Sequence, residues 1–127
     1  MSEKHPFWLF GVEGEISRDE WGPRGWYWLH TQAINYAADP SEQDRMGMRN
    51  RFWAFIQSLP CPECRLHATR YARLYPPNFS GGSAFQTWAW RFHNAVNHRL
   101  GKPLMDCEEY RKTYASELAG SYWNYVN

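Results

Sequence analysis

Apolar side chains in this chain recur every three or four residues, in stretches cut by proline and glycine, and that period constrains the fold more than any other feature. Such spacing gathers one stripe of each helix onto a buried face, whereas a half-buried strand needs strict alternation. The first stretch can open at Asp19 or Pro23. It carries Trp26, Leu29, His30, Ala33 and Ala37 on one face until Asp39-Pro40 stops it. Ser41, with Asp44 three positions on, reads as a weakened capping box for a second helix striped by Met48, Phe52, Phe55, Ile56 and Leu59. Pro60 breaks it, and a third helix is expected from Cys61 toward Leu74, ahead of Pro76-Pro77. Gly81-Gly82-Ser83 reads as a loop ending in an N-cap. The fourth helix then carries Phe85, Trp88, Ala89, Phe92, Val96 and Leu100, with Gly101 just past its end and Pro103 beyond. Asp106, with Glu109 three later, caps a fifth helix through Tyr110, Tyr114 and Leu118. No segment alternates as a strand does, and no βαβ pattern, repeat or low-complexity tract is present. The joining loops are short, so the expected fold is an all-α bundle of antiparallel neighbours. Residues 1–18 read as an N-terminal arm, 19–118 as the folded domain, and 119–127 as a short aromatic tail.

A chain of 127 residues is one domain's worth and can bury its own core. Its 8 Trp, 8 Tyr and 7 Phe exceed what a small bundle needs for packing, so some rings are expected to line a flat ligand. A net charge of +1 gives no electrostatic case for a nucleic-acid or membrane partner. No stretch approaches the ~20 apolar residues of a membrane span. The run Phe7-Trp8-Leu9-Phe10 is too short for the apolar region of a signal peptide. The expected location is therefore cytoplasmic.

Three cysteines do not make a disulfide framework. Two of them form Cys61-Pro62-Glu63-Cys64, a spacing that puts both sulfurs on one helix face within disulfide reach. Pro60 favours a helix start there, and a helix N-terminus favours a thiolate. That suits dithiol–disulfide exchange. Zinc is the alternative, with Cys61, Cys64 and His67 as ligands and His93 or His98 as the fourth. Structural zinc usually shows a second tight Cys or His pair, which this chain lacks. A thioredoxin-like motif would need alternating strands and helices.

In the fourth helix His93, Val96, Asn97 and Leu100 fall at i, i+3, i+4 and i+7, with Asn94 beside His93 and Arg99 and Lys102 near the helix end. A core stripe with two satisfied polar groups would account for the face. A mixture of rings, amides and terminal cations also suits a flat heteroaromatic bearing a pyrophosphate.

These blocks together resemble the Erv/ALR family of FAD-linked sulfhydryl oxidases, most of all the compact single-domain members of large cytoplasmic DNA viruses. The matching pieces are Trp21-Gly22-Pro23 through Trp26-Tyr27-Trp28-Leu29-His30, then Leu59-Pro60-Cys61-Pro62-Glu63-Cys64, then Phe92-His93-Asn94-Ala95-Val96-Asn97 with Leu100-Gly101-Lys102-Pro103, and last Asp106-Cys107. The resemblance implies a four-helix bundle with a short fifth helix and FAD at the bundle mouth. It implies Cys64 as the sulfur next to the flavin and Cys61 as the one attacked by substrate thiols. By the same pattern Trp26 and His30 line the cofactor from the first helix, and His93, Asn94, Val96 and Asn97 from the fourth. Arg99 and Lys102 match cationic positions near the phosphates, Arg24 a polar or basic one at the first helix, and Tyr114 an aromatic at the adenine end. Tyr36 matches one of two aromatics that the family places after the first-helix His; Asn35 stands at the other.

The resemblance further implies a protein dithiol substrate, molecular oxygen as the acceptor and a homodimer through the first two helices. For a virus-encoded member it implies the host cytoplasm or the virion. Cellular members often carry a second Cys three residues before the His-Asn pair, bonded to the position of Cys107; here that residue is Trp90. Cys107 is therefore expected to be a buried free thiol, with a bridge to another chain or exchange with substrate as alternatives. No Cys remains for a shuttle disulfide in a tail, so a separate small redox shuttle protein is the expected substrate.

Overall fold

The structure, a computed structural model, describes residues 17–115. The expected position of Leu118, the aromatic tail and all of the arm but Ser17 and Arg18 lie outside the described residues. The described residues form five helices and no strand: α1 (Arg18–Asn35), α2 (Glu42–Gln57), α3 (Pro62–Leu74), α4 (Gly82–Arg99) and the short α5 (Cys107–Tyr114). The expected four-helix bundle with a short fifth helix is the observed fold. α1 packs chiefly on α4, α2 on α3, and α5 lies against α1.

Local chemistry sets the helix ends. Ser41 accepts from the Asp44 amide at 3.0 Å and Asp44 accepts from the Ser41 amide at 3.0 Å, a complete capping box. Asp106 caps α5 by accepting from the Glu109 amide at 2.8 Å. Gly101 adopts φ +72°, the left-handed conformation that a side chain disfavours. It lets Lys102 N–H donate to Asn97 at 2.8 Å and Gly101 N–H to His98 at 3.1 Å, the paired bonds of a Schellman cap.

Two expected boundaries move. α1 opens at Arg18 under Ser17, so Pro23 lies within the helix, and it ends at Asn35 because Tyr36 turns extended. The Tyr36 ring packs into the core and its hydroxyl donates to the Phe79 carbonyl at 2.7 Å, which leaves Ala37 exposed rather than on the α1 stripe. α4 begins at Gly82 with Gly81 as its cap, two residues earlier than a Ser83 cap would allow. The cause is close approach. Gly82 N–H donates to the Ala37 carbonyl at 3.0 Å, and a Cβ there would come 2.8 Å from the Tyr36 carbonyl oxygen.

The stripes meet in one main core. Leu29, Phe52, Ile56 and Phe85 are fully buried, joined by Ala33, Met48, Trp88, Ala89 and Phe92, while Phe55, Leu59 and Val96 pack partly buried at its edge. Each full burial of such a side chain stabilises by roughly 1.5–3 kcal/mol. Most aromatic residues among the described ones pack here: Phe52 meets Trp88 edge-to-face at 5.2 Å, and Phe79 meets Phe85 the same way at 5.0 Å. A second cluster of Met105, Tyr110 and Tyr114 seats α5 against Trp26, Tyr27, Ile34 and Trp90.

Candidate active site

The start of α3 follows from Pro60-Cys61-Pro62. Pro62 occupies the first helical position, where its fixed φ suits a helix and its missing N–H costs nothing. Cys61 becomes the N-cap, and its sulfur accepts from the Cys64 amide at 3.2 Å. All three cysteines carry free sulfurs, so the pair is described in its dithiol form. The two sulfurs differ. The Cys61 thiol is held below the ordinary value, first by the hydrogen bond from the Cys64 side chain, then by the Cys64 amide and the Arg18 charge. Burial pushes the Cys64 thiol up to about 11, and its bond to Cys61 adds to the rise. A helix N-terminus thus stabilises one thiolate of the pair, not both.

Cys64 lies in the wall of a cleft that opens to solvent between the N-terminal half of α1, α2, α3 and the C-terminal end of α4. Trp26, Cys64, His93, Val96, Asn97, Arg99 and Lys102 line it, which brings together seven of the residues expected around a cofactor. Arg24, His30, Tyr36, Asn94 and Tyr114 do not. Arg24 is exposed on α1, and Tyr36 belongs to the core. Asn94 spans the α4–α5 connection: its Nδ2 donates to the Met105 carbonyl at 2.8 Å, and its Oδ1 accepts from the Met105 amide at 2.7 Å. Tyr114 packs against His30, ring centres 4.3 Å apart.

His30 stands one layer behind the wall. It is fully buried, and its Nε2 is 2.9 Å from Nδ1 of His93. The His93 ring stacks on Trp26 at 3.8 Å and 9°. Burial, helped by the neighbouring His93, lowers the His30 pKa to about 3; burial, helped by Lys102, lowers that of His93 to about 4. Both rings are neutral at pH 7.

The cleft also takes residues that motif reasoning passed over. Arg18, Asp19, Trp21, Gly22, Pro23 and Gly25 supply the α1 wall, and Phe55, Leu59, Ala68, Phe92 and Leu100 complete the apolar lining. The signals were present: Trp21-Gly22-Pro23 and Leu59 belong to the quoted motif blocks, and Phe55 to the α2 stripe. Arg18 falls within residues 1–18, which the sequence reads as the arm.

The walls are aromatic and aliphatic, an Asn amide and an imidazole face in, and Arg18, Arg99 and Lys102 supply cationic side chains. That donor set fits a flat heteroaromatic with a phosphate tail. Zinc is not favoured by the geometry: among the described residues no three His, Cys, Asp or Glu side chains gather as ligands would.

Cys107 corrects an expectation. It is exposed, at the first position of α5, because the buried face beside it is already filled by Met105, Tyr110 and Tyr114 with Trp90 packed on them. Nor is any helix among the described residues long and apolar enough to cross a membrane.

The family model described as the Erv1 / Alr family matches residues 23–115. An African swine fever virus protein named FAD-linked sulfhydryl oxidase is 36% identical over 98 residues, which cover 77% of this chain and 82% of the viral one. A protein of Acanthamoeba polyphaga mimivirus, carrying that name as a probable one, is 28% identical over 119 residues, 87% of this chain and 83% of its own. Among solved structures, the crystal structure of the FAD binding domain of Erv1 from Saccharomyces cerevisiae superposes with a TM-score of 0.72 at 28% identity, covering 77% of this chain and 93% of that one.

Proposed function

Since the chain belongs to the Erv1/Alr family, we propose that it is an FAD-dependent sulfhydryl oxidase that forms disulfides in protein substrates through Cys61 and Cys64. The observation that carries this reading is the position of Cys64, a redox-competent sulfur in the wall of an aromatic cleft with cations around it. Trp26, His93, Val96, Asn97, Arg99 and Lys102 hold FAD, helped by Trp21 and Phe55. When bound there, FAD would supply the two-electron chemistry that links oxidation of the dithiol to reduction of oxygen to hydrogen peroxide.

The protein's own part is thiol chemistry. In the oxidised pair, a substrate thiolate attacks the Cys61 sulfur, the sulfur–sulfur bond breaks, and Cys64 leaves as a thiolate. A second substrate thiol attacks the mixed disulfide and releases the oxidised substrate, so two substrate thiols are oxidised and the pair is reduced. Cys61 does not line the cleft and is only partly buried, which leaves it available to a protein substrate. In the reduced pair Cys61 is the more acidic sulfur, and its hydrogen bond with Cys64 makes it the nearest acceptor for the Cys64 proton.

The substrate we propose is a small, separate redox protein, since Cys107 is the one cysteine of this sequence outside the Cys61–Cys64 pair and cannot form a shuttle disulfide alone. A homodimer through α1 and α2 accords with the half-exposed Met46 on α2. The host cytoplasm or virion is the proposed location, supported by the viral relatives. The test is an absorption spectrum of the desalted protein followed by an oxygen-consumption assay with a dithiol. Flavin bands are expected in both the parent and Cys64→Ser, and turnover in the parent alone. Persistent turnover in Cys64→Ser, or a colourless folded parent, would overturn the reading.

A further inference from the structure

We propose that His30 is a positioning residue: its Nε2–H donates to Nδ1 of His93, which fixes the His93 proton on Nε2 and makes that ring a hydrogen-bond donor into the cleft. The inference rests on reading the cleft as a cofactor site. It assigns the chemistry of the ligand atom met there, a ring nitrogen or carbonyl oxygen that accepts.

The argument is a proton count. The two rings are 2.9 Å apart through His30 Nε2 and His93 Nδ1, so one proton lies between them. Both rings are neutral at pH 7, and each carries one proton in all. If His93 owned the shared proton, the proton of His30 would sit on Nδ1. That nitrogen is the one buried side-chain nitrogen or oxygen among the described residues with no hydrogen-bond partner. The His30 ring packs against the rings of Tyr110 and Tyr114, at 5.4 and 4.3 Å between centres. An orphaned buried N–H is among the rarest defects of a native interior, rarer than an idle acceptor. The favoured arrangement leaves a bare lone pair on His30 Nδ1 and gives the shared proton to His30 Nε2.

Nδ1 of His93 is then occupied, and Nε2 is the nitrogen left for the cleft that this ring lines. Stacking on Trp26 at 9° fixes the ring plane, so the N–H direction is set by two contacts. Pre-set direction of this kind lowers the ordering cost of binding. His30 touches no ligand in this scheme and acts only through His93.

The test is long-range proton–nitrogen NMR of the imidazoles in the full-length protein, with His30→Phe and His30→Gln beside it. In the parent, both rings are expected as Nε2–H tautomers at pH 7. His30→Phe keeps a ring in the buried site but removes the donor: His93 is expected as a mixture of tautomers, with FAD bound about 3–10-fold more weakly, the effect of one lost hydrogen bond. His30→Gln restores a donor and is expected to return His93 toward the parent signature. His93 protonated on Nδ1 in the parent, or unchanged Nε2–H in a folded His30→Phe, would overturn the proposal. Should His30→Phe fail to fold, the parent spectrum alone decides. A protein that never binds FAD refutes the proposed function but leaves the tautomer reading to the same spectrum.

Discussion

Lowering the pH from 7 to 5 should destabilise this protein by about 3–4 kcal/mol through His30 and His93 alone, at ~1.4 kcal/mol per pH unit for each proton taken up only on unfolding. Burial lowers both folded-state values, to about 3 and about 4, against 6.5 in the unfolded chain. Below pH 6.5 the unfolded chain therefore binds two protons that the folded one refuses. Their contribution is complete above that point. It drains as the pH falls, until His93 charges near 4 and His30 near 3. Over the two units from 7 to 5 each group loses about 1.9 kcal/mol, because the first half unit lies above the unfolded value. The pair thus removes a large share of the 5–15 kcal/mol that holds a domain together.

The assay is urea unfolding followed by circular dichroism at pH 7, 6 and 5, on the parent and on His30→Phe. Other titrating groups act in both proteins, so the difference between their pH slopes isolates His30. The parent is expected to lose about 2 kcal/mol more than the variant over this range. Parallel slopes would show that His30 is not held neutral by burial, and the account of the buried pair would fall.

Three further outcomes are expected. In a Cys107→Ser background, iodoacetamide should modify Cys61 well before Cys64 at neutral pH, read by peptide mass mapping, because the two thiols are shifted in opposite directions; equal rates would refute that order. Arg99→Gln and Lys102→Gln should each weaken FAD retention roughly 3–10-fold at low salt and less at high salt, with the helical spectrum unchanged; retention equal to the parent would remove these cations from the cofactor site. Asn94→Ala should cost roughly 2 kcal/mol and lower Tm by about 10 °C, since it strands the buried Met105 amide, and an unchanged Tm would refute the pinning role.

Periodicity revealed what faces the core, and little about the cleft, for a physical reason. The α2 and α4 stripes are legible because Met48, Phe52 and Ile56, or Phe85, Trp88, Ala89 and Phe92, each fill one buried line. The cleft draws instead on positions at and just beyond helix ends. Arg18 opens α1, Cys64 lies in the first turn of α3, Arg99 closes α4, and Lys102 is carried round by the turn at Gly101. No hydrophobic period marks such places. Motif spacing found Cys64, His93 and Asn97 because those residues share a helix with their neighbours. It marked Trp21-Gly22-Pro23 without placing them in the cleft, and gave no sign of Arg18, Asp19 or Gly25, because only the packing of α1 on α4 brings this wall into range. The Tyr36 and Gly81-Gly82 boundaries also escaped it, since both depend on contact between α1 and α4 rather than on local propensity.

Two residues of the motif blocks, His30 and Asn94, face away from the cleft, yet each holds a residue that faces it. His30 bonds His93. Asn94 accepts from Asn97 Nδ2 at 3.4 Å while it clasps both backbone groups of Met105. Trp90 adds a third bond to the same residue, donating from Nε1 to the Met105 carbonyl at 2.8 Å. Trp90 stands where the family resemblance leads one to look for a cysteine bonded to the position of Cys107. Three hydrogen bonds on Met105, with the ring of Trp90 packed over the Met105–Tyr110–Tyr114 cluster, therefore tie the α4–α5 connection without a covalent link. A covalent tie survives only where the surroundings are oxidising enough to keep it. A tie of hydrogen bonds and aromatic packing has no such requirement, so α5 can keep Tyr110 and Tyr114 against His30 whatever the redox state of Cys61 and Cys64.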